Sequence, residues 1–194
     1  MKANRLEAFS DGVIAIIITI MVLDLKVPRD ASLQALAGDL PVFFCYALSF
    51  VIVAIYWVNH HHLIHLVREV NPRILWANNN LLFWLSLIPF ATAYMGESRA
   101  QHLPVAVYAL VCAACAGSFH LLRASIAREH RHDASLHRLH RKVARKNSIA
   151  LTFTLLGAVL AWVYVPLALV FVSLPAVMYF VPTRLSPDIT DHLL

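Results

Sequence analysis

The stretch Arg5-Leu6-Glu7-Ala8-Phe9-Ser10-Asp11-Gly12-Val13-Ile14-Ala15-Ile16-Ile17-Ile18-Thr19-Ile20-Met21-Val22-Leu23-Asp24 decides the fold. From Val13 to Leu23 every residue except Thr19 is apolar. Extended back to Leu6, the run matches the roughly 20 residues a helix needs to cross about 30 Å of hydrocarbon. Its beginning is ionisable, and Asp11 is the residue that needs explaining. A carboxylate near hydrocarbon costs about 2.5–3.5 kcal/mol on insertion scales, so it faces protein or a water-filled path and takes a cation or a hydrogen-bond donor as partner. Arg5, a histidine or Trp57 can serve. The pattern leaves two readings open, a carboxylate paired within the bundle or one that touches a passing ion.

The rest of the chain agrees with a membrane solvent. Of 194 residues, 60% are apolar and 14% charged, and the mean hydropathy is +0.67. That is more apolar surface than a soluble domain of this size can bury. The fold class expected is all-α, a single polytopic bundle over residues 1–194 with six transmembrane helices at about 6–25, 40–58, 75–95, 104–122, 147–163 and 165–181. A kink is expected near Pro89 in the third span, and spans five and six form a tight hairpin. The first span is expected to stay in the mature protein, because Asp11 lies in its first turns and no small-residue cleavage site follows. The tail from Pro182 onward is polar and reads as loosely ordered.

The net charge of +5 does not point to nucleic acid, because eight of the sixteen Lys and Arg residues lie between Arg123 and Lys146. With six spans and both termini cytoplasmic, inner segments hold thirteen cations, namely Lys2, Arg5, Arg68, Arg73, Arg184 and those eight, against Lys26, Arg29 and Arg99 outside. This asymmetry is the positive-inside pattern, and it makes 123–146 a basic cytoplasmic loop facing anionic headgroups.

Successive helical residues turn by about 100°, which puts Ile16, Ile20 and Leu23 within about 60° of one another, with Gly12 and Thr19 at the flanks. Every face of this helix is apolar, so spacing does not say whether the stripe meets lipid, protein or a pore. His60, His61, His62 and His65 form a second constellation. His61 and His65 have the i, i+4 spacing of a metal-binding pair, yet no Cys or Glu at a convincing distance completes a site, so no metal is expected. A structural network or a pH-responsive patch fits as well, and the same holds for His130, His132, His137 and His140. Cys112 and Cys115 make a C-x-x-C inside an apolar span, where thiols with Cys45 act as packing residues and not as a redox pair or a disulfide.

The motif Arg5-x-x-x-Phe9-Ser10-Asp11, followed by an aliphatic helix with Thr19 and Leu23, resembles the signature of the transmembrane protein 175 family of potassium channels, in its prokaryotic branch. Tyr56-Trp57 leading to His60-His61, and Asn80-Leu81-Leu82 with Pro89-Phe90, agree with it. The resemblance implies a homotetramer of single six-helix repeats in the inner (plasma) membrane, with potassium as permeant ion, no cofactor and no enzymatic activity. It implies that the first helix lines the pore, with Ile16, Ile20 and Leu23 as the constriction and Thr19 as a hydroxyl beside it, in place of a carbonyl-lined filter. It further implies that Arg5, Phe9, Ser10 and Asp11 form a folding and assembly network with Trp57, His60 and His61. Gly12 departs from the larger residue often found after the Asp. The rival expectation is a secondary or proton-coupled transporter that titrates Asp11, Asp24 and the His60–His65 cluster; a metal-handling membrane protein built on those histidines is the third.

Overall fold

The computed structural model describes residues 2–28, 30–67, 69–128 and 134–180; the side chains of 134–143 and of Phe180 are outside the description. Eight helices account for nearly all of it: α1 (Ala3–Leu23), α2 (Leu33–Gly38), α3 (Leu40–Ile64), α4 (Pro72–Ser86), α5 (Ile88–Glu97), α6 (His102–Ala127), α7 (Ala134–Leu160) and α8 (Val165–Phe180). Beyond an isolated bridge between Lys2 and Glu69, no β-pairing occurs among the described residues. Among the described residues, four stretches are long and apolar enough to cross a membrane: α1, α3, α4 with α5, and α6.

Local chemistry explains the boundaries. Asn71 caps α4 by accepting a hydrogen bond from the Ile74 amide at 2.9 Å, and Pro72 follows at the first helical position, where its missing N–H costs nothing. Pro89 has no proton to give the Leu85 carbonyl, and the expected kink takes the form of a break at Leu87, where α4 stops and α5 begins. Ser32 caps the short α2 through the Ala35 amide at 3.1 Å.

Helix extends into the basic stretch 123–146, since α6 continues to Ala127 and α7 begins at Ala134. Arg, Lys, Leu and Ala are good helix formers, and charge by itself does not stop a helix. α3 likewise continues beyond Val58, through His60 and His61 to Ile64. The tight hairpin does occur, with residues 161–164 joining α7 to α8. His130 and His132 and the tail beyond Pro182 lie outside the described residues.

The core is organised around α6, which packs on α4, α5, α7 and α8. Its buried face is built of small residues, including Ala109, Cys112, Ala113, Cys115, Ala116 and Ser118. In lipid, tails are as apolar as leucine, so helices associate through close packing, and small side chains let the backbones approach. Gly157 does the same between α7 and α8: a Cβ there would stand 2.7 Å from Val172 Cγ2. Among the described residues α1 packs chiefly on α3, α4 and α5, and Phe9, Ile16, Ile20 and Leu23 stay exposed on it.

Candidate functional site

The residues α1 buries are Leu6, Ser10, Ile14, Ile17 and Met21. Spacings of three and four hold them on one helical face. The other side carries Phe9, Ile16, Ile20 and Leu23, with fractional exposures of 58, 59, 44 and 79%. The aliphatic stripe read from the sequence is thus the face that the subunit does not pack. Beside it, Val13, Ile16, Ile17 and Ile20 form one wall of a groove whose other wall is Ser86, Pro89 and Phe90. The Thr19 hydroxyl donates to the Ile16 carbonyl at 2.9 Å, so its proton is engaged in the helix and its oxygen lone pairs face outward.

A chain of hydrogen bonds anchors the buried face near the N-terminus of α1. Ser10 Oγ donates to the Leu6 carbonyl at 2.8 Å and accepts from Asn78 Nδ2 at 3.0 Å. Asn78 Oδ1 in turn accepts from His60 Nε2 at 2.7 Å. All three side chains, from α1, α4 and α3, have zero exposure. This arrangement fixes the His60 tautomer with its proton on Nε2, and Nδ1 remains without a partner. Asn78 belongs to the network although sequence reasoning did not select it; its signal was the run Asn78-Asn79-Asn80 in an otherwise apolar helix.

Asp11 finds Trp57, whose indole Nε1 donates to Oδ1 at 3.0 Å. Of the partners considered for it, the indole is the one used. The Trp57 ring stacks on His61 with centroids 6.2 Å apart. His61 Nδ1 lies 2.9 Å from Glu7 Oε1, and His65 Nε2 lies 3.5 Å from the same oxygen. Glu7, the acidic partner of both histidines, arrives from α1. Arg5 is exposed and joins none of these contacts among the described residues. Asp24 caps the far end of α1, thirteen residues and about 20 Å from Asp11, so the carboxylates of the transporter reading do not converge on one site. Near that far end Lys26 pairs with Glu97, which raises the Lys26 pKa through the hydrogen bond and the charge of the carboxylate.

Comparison with known proteins bears on what this arrangement serves. A family model described as the endosomal/lysosomal potassium channel TMEM175 matches residues 5–89. A potassium channel of a Chryseobacterium species is 44% identical over 185 residues, covering 95% of each chain. The chain belongs to the TMEM175 family. A second TMEM175 relative, a potassium channel of Streptomyces collinus, is 36% identical over 94% of this chain and 96% of its own. The crystal structure of a lysosomal potassium-selective channel TMEM175 homologue from Chamaesiphon minutus superposes with a TM-score of 0.80 at 27% identity, covering 92% of this chain and 96% of that one. The TMEM175 fold is one of ion channels and not of enzymes, and the segment matched by the family model holds α1, α3 and α4, the helices that share the Ser10, Asn78 and His60 network.

Proposed function

We propose that the chain forms a homotetrameric, potassium-permeable and weakly selective cation channel of the bacterial inner membrane, with α1 lining the pore. The observation that carries this reading is the uncovered stripe of Ile16, Thr19, Ile20 and Leu23, opposite the packed face of the same helix. Four copies of such a face around an axis make rings of branched aliphatic side chains. A narrow ring of this kind excludes water, and a small rotation of α1 switches wetting and therefore conduction. Dehydration at an apolar ring discriminates only modestly between potassium and sodium. The family and the potassium channels it includes supply the permeant ion.

In this reading the chain crosses the membrane six times, by α1, α3, α4 with α5, α6, α7 and α8, with both termini in the cytoplasm. The support is the distribution of thirteen cations against three. Phe9, Ser10, Asp11, Trp57, His60 and His61 hold the inner end of the pore helix and are not ion ligands; Arg5, exposed in the single subunit, acts in assembly. The test is reconstitution in liposomes under opposed potassium and sodium gradients, for the unaltered chain and for Ile16→Asn. A reversal potential set by potassium and shifted by the substitution is expected; saturable, counter-ion-dependent flux overturns the reading in favour of a carrier.

A further inference from the structure

We propose that Glu7, His61 and His65 form a binding site for a divalent transition-metal ion of the zinc type, tying the N-terminal end of α1 to α3. The three donors lie on two helices, and their ligand atoms all fall within 4.8 Å of one another. With His61 offering Nδ1, Glu7 Oε1 lies 2.9 Å from that nitrogen and 3.5 Å from His65 Nε2, while the other nitrogen of His61, Nε2, lies 3.1 Å from His65 Nε2. Zinc–nitrogen and zinc–oxygen bonds of about 2.0–2.2 Å set the edge of a tetrahedron at roughly 3.3 Å. The two edges that meet at Glu7 Oε1 thus stand within tenths of an ångström of that spacing, and the third lies within 4.8 Å.

The chemistry of the set selects the ion. Two imidazoles and one carboxylate suit zinc, nickel or copper and suit magnesium or calcium poorly, because hard cations take oxygen donors. Glu7 Oε1, shared between His61 Nδ1 at 2.9 Å and His65 Nε2 at 3.5 Å, needs a proton or a cation between it and each nitrogen. The site is open to an ion: the side chains of His61 and His65 are 42 and 59% exposed, while Glu7 is held at 18%. Three protein ligands leave a fourth position for water or for a group from a neighbouring subunit. Trp57, stacked on His61 and fixed by Asp11, holds the imidazole plane in place, as outer groups around metal ligands commonly do.

Occupied, the site clamps α1 against α3 at its inner end and opposes rotation of α1; this consequence, unlike the binding, rests on α1 being the pore helix. The experiment titrates the full chain in detergent with zinc chloride by calorimetry and counts bound zinc after desalting. The unaltered chain, His65→Ala and Glu7→Gln are compared, all carrying His130→Ala, His132→Ala, His137→Ala and His140→Ala so that those histidines bind nothing. One zinc ion per subunit is expected, with affinity falling on the order of tenfold or more in both variants and no competition from magnesium. His65 is exposed enough to be replaced without unfolding, and thermal unfolding in zinc-free buffer checks it. Absence of saturable binding, or equal binding in the variants, overturns the site and leaves a proton as the occupant. Potassium flux measured on the same samples is expected to fall with zinc only where Glu7 and both histidines are present; unchanged flux in a zinc-loaded channel overturns the clamp, and absence of flux in every sample without zinc overturns the pore reading while the binding stands.

Discussion

Replacing Asn78 by Leu removes the group that joins α1, α3 and α4, at nearly constant volume. In the native chain Asn78 accepts from His60 at 2.7 Å and donates to Ser10 at 3.0 Å. Ser10 retains its bond to the Leu6 carbonyl, so it loses only one contact, at about 0.5–1.5 kcal/mol. His60 fares worse, since its Nδ1 has no partner already; without Asn78 the whole imidazole is buried and unpaired, at about 1–3 kcal/mol. Together the loss is about 2–4 kcal/mol, which lowers the melting temperature by about 4–16 °C at roughly 2–4 °C per kcal/mol. Tryptophan fluorescence during heating in detergent micelles reads it. The decisive measurement is the cycle with His60→Leu, because the double variant leaves neither an orphan imidazole nor an orphan amide. It is expected to be more stable than the sum of the single losses by about 1–3 kcal/mol. Additivity within about 0.5 kcal/mol refutes the idea that these side chains stabilise the bundle as one network.

Gly157→Ala drives a Cβ to 2.7 Å from Val172 Cγ2 and 3.3 Å from the Ala168 carbonyl, so the α7–α8 hairpin must separate; a loss of about 1–3 kcal/mol in thermal unfolding is expected, and an unchanged melting temperature counts against the tight hairpin. Gly12→Ala is the opposite case, since a Cβ there meets nothing within 4 Å in the subunit; relief of helix-interior glycine is expected to stabilise by about 0.5–1 kcal/mol, and a fall in stability instead shows that another subunit packs on that face.

The membrane class, the all-helical fold and the apolar spans were legible because hydropathy and helical period are local properties, readable within some 20 residues. The break at Leu87 was legible for the same reason, through Pro89. What local pattern did not set was where a helix stops when no proline or cap is present. The polar runs at His60–His62 and at 134–146 read as departures from the membrane, yet helix continues through both, because backbone hydrogen bonds persist beyond the hydrocarbon wherever residues with good helical propensity follow.

The candidate site divides along the same line. The stripe of Ile16, Ile20 and Leu23 follows from a 100° turn, whereas its face did not, since α1 is apolar all round; only the burial of Leu6, Ser10, Ile14, Ile17 and Met21 orients it. Glu7 shows the limit most clearly. In sequence it is one acidic residue near the start of a helix, 54 positions from His61. Packing of α1 on α3 brings it to 2.9 Å, and no spacing rule reaches across two helices. A set of donors completed only by packing responds to any motion of one helix past the other. Such motion alters the ligand geometry at the inner end of α1 before it alters anything in the core around α6, and that makes the Glu7, His61 and His65 cluster the sensitive place to probe for movement of the helix.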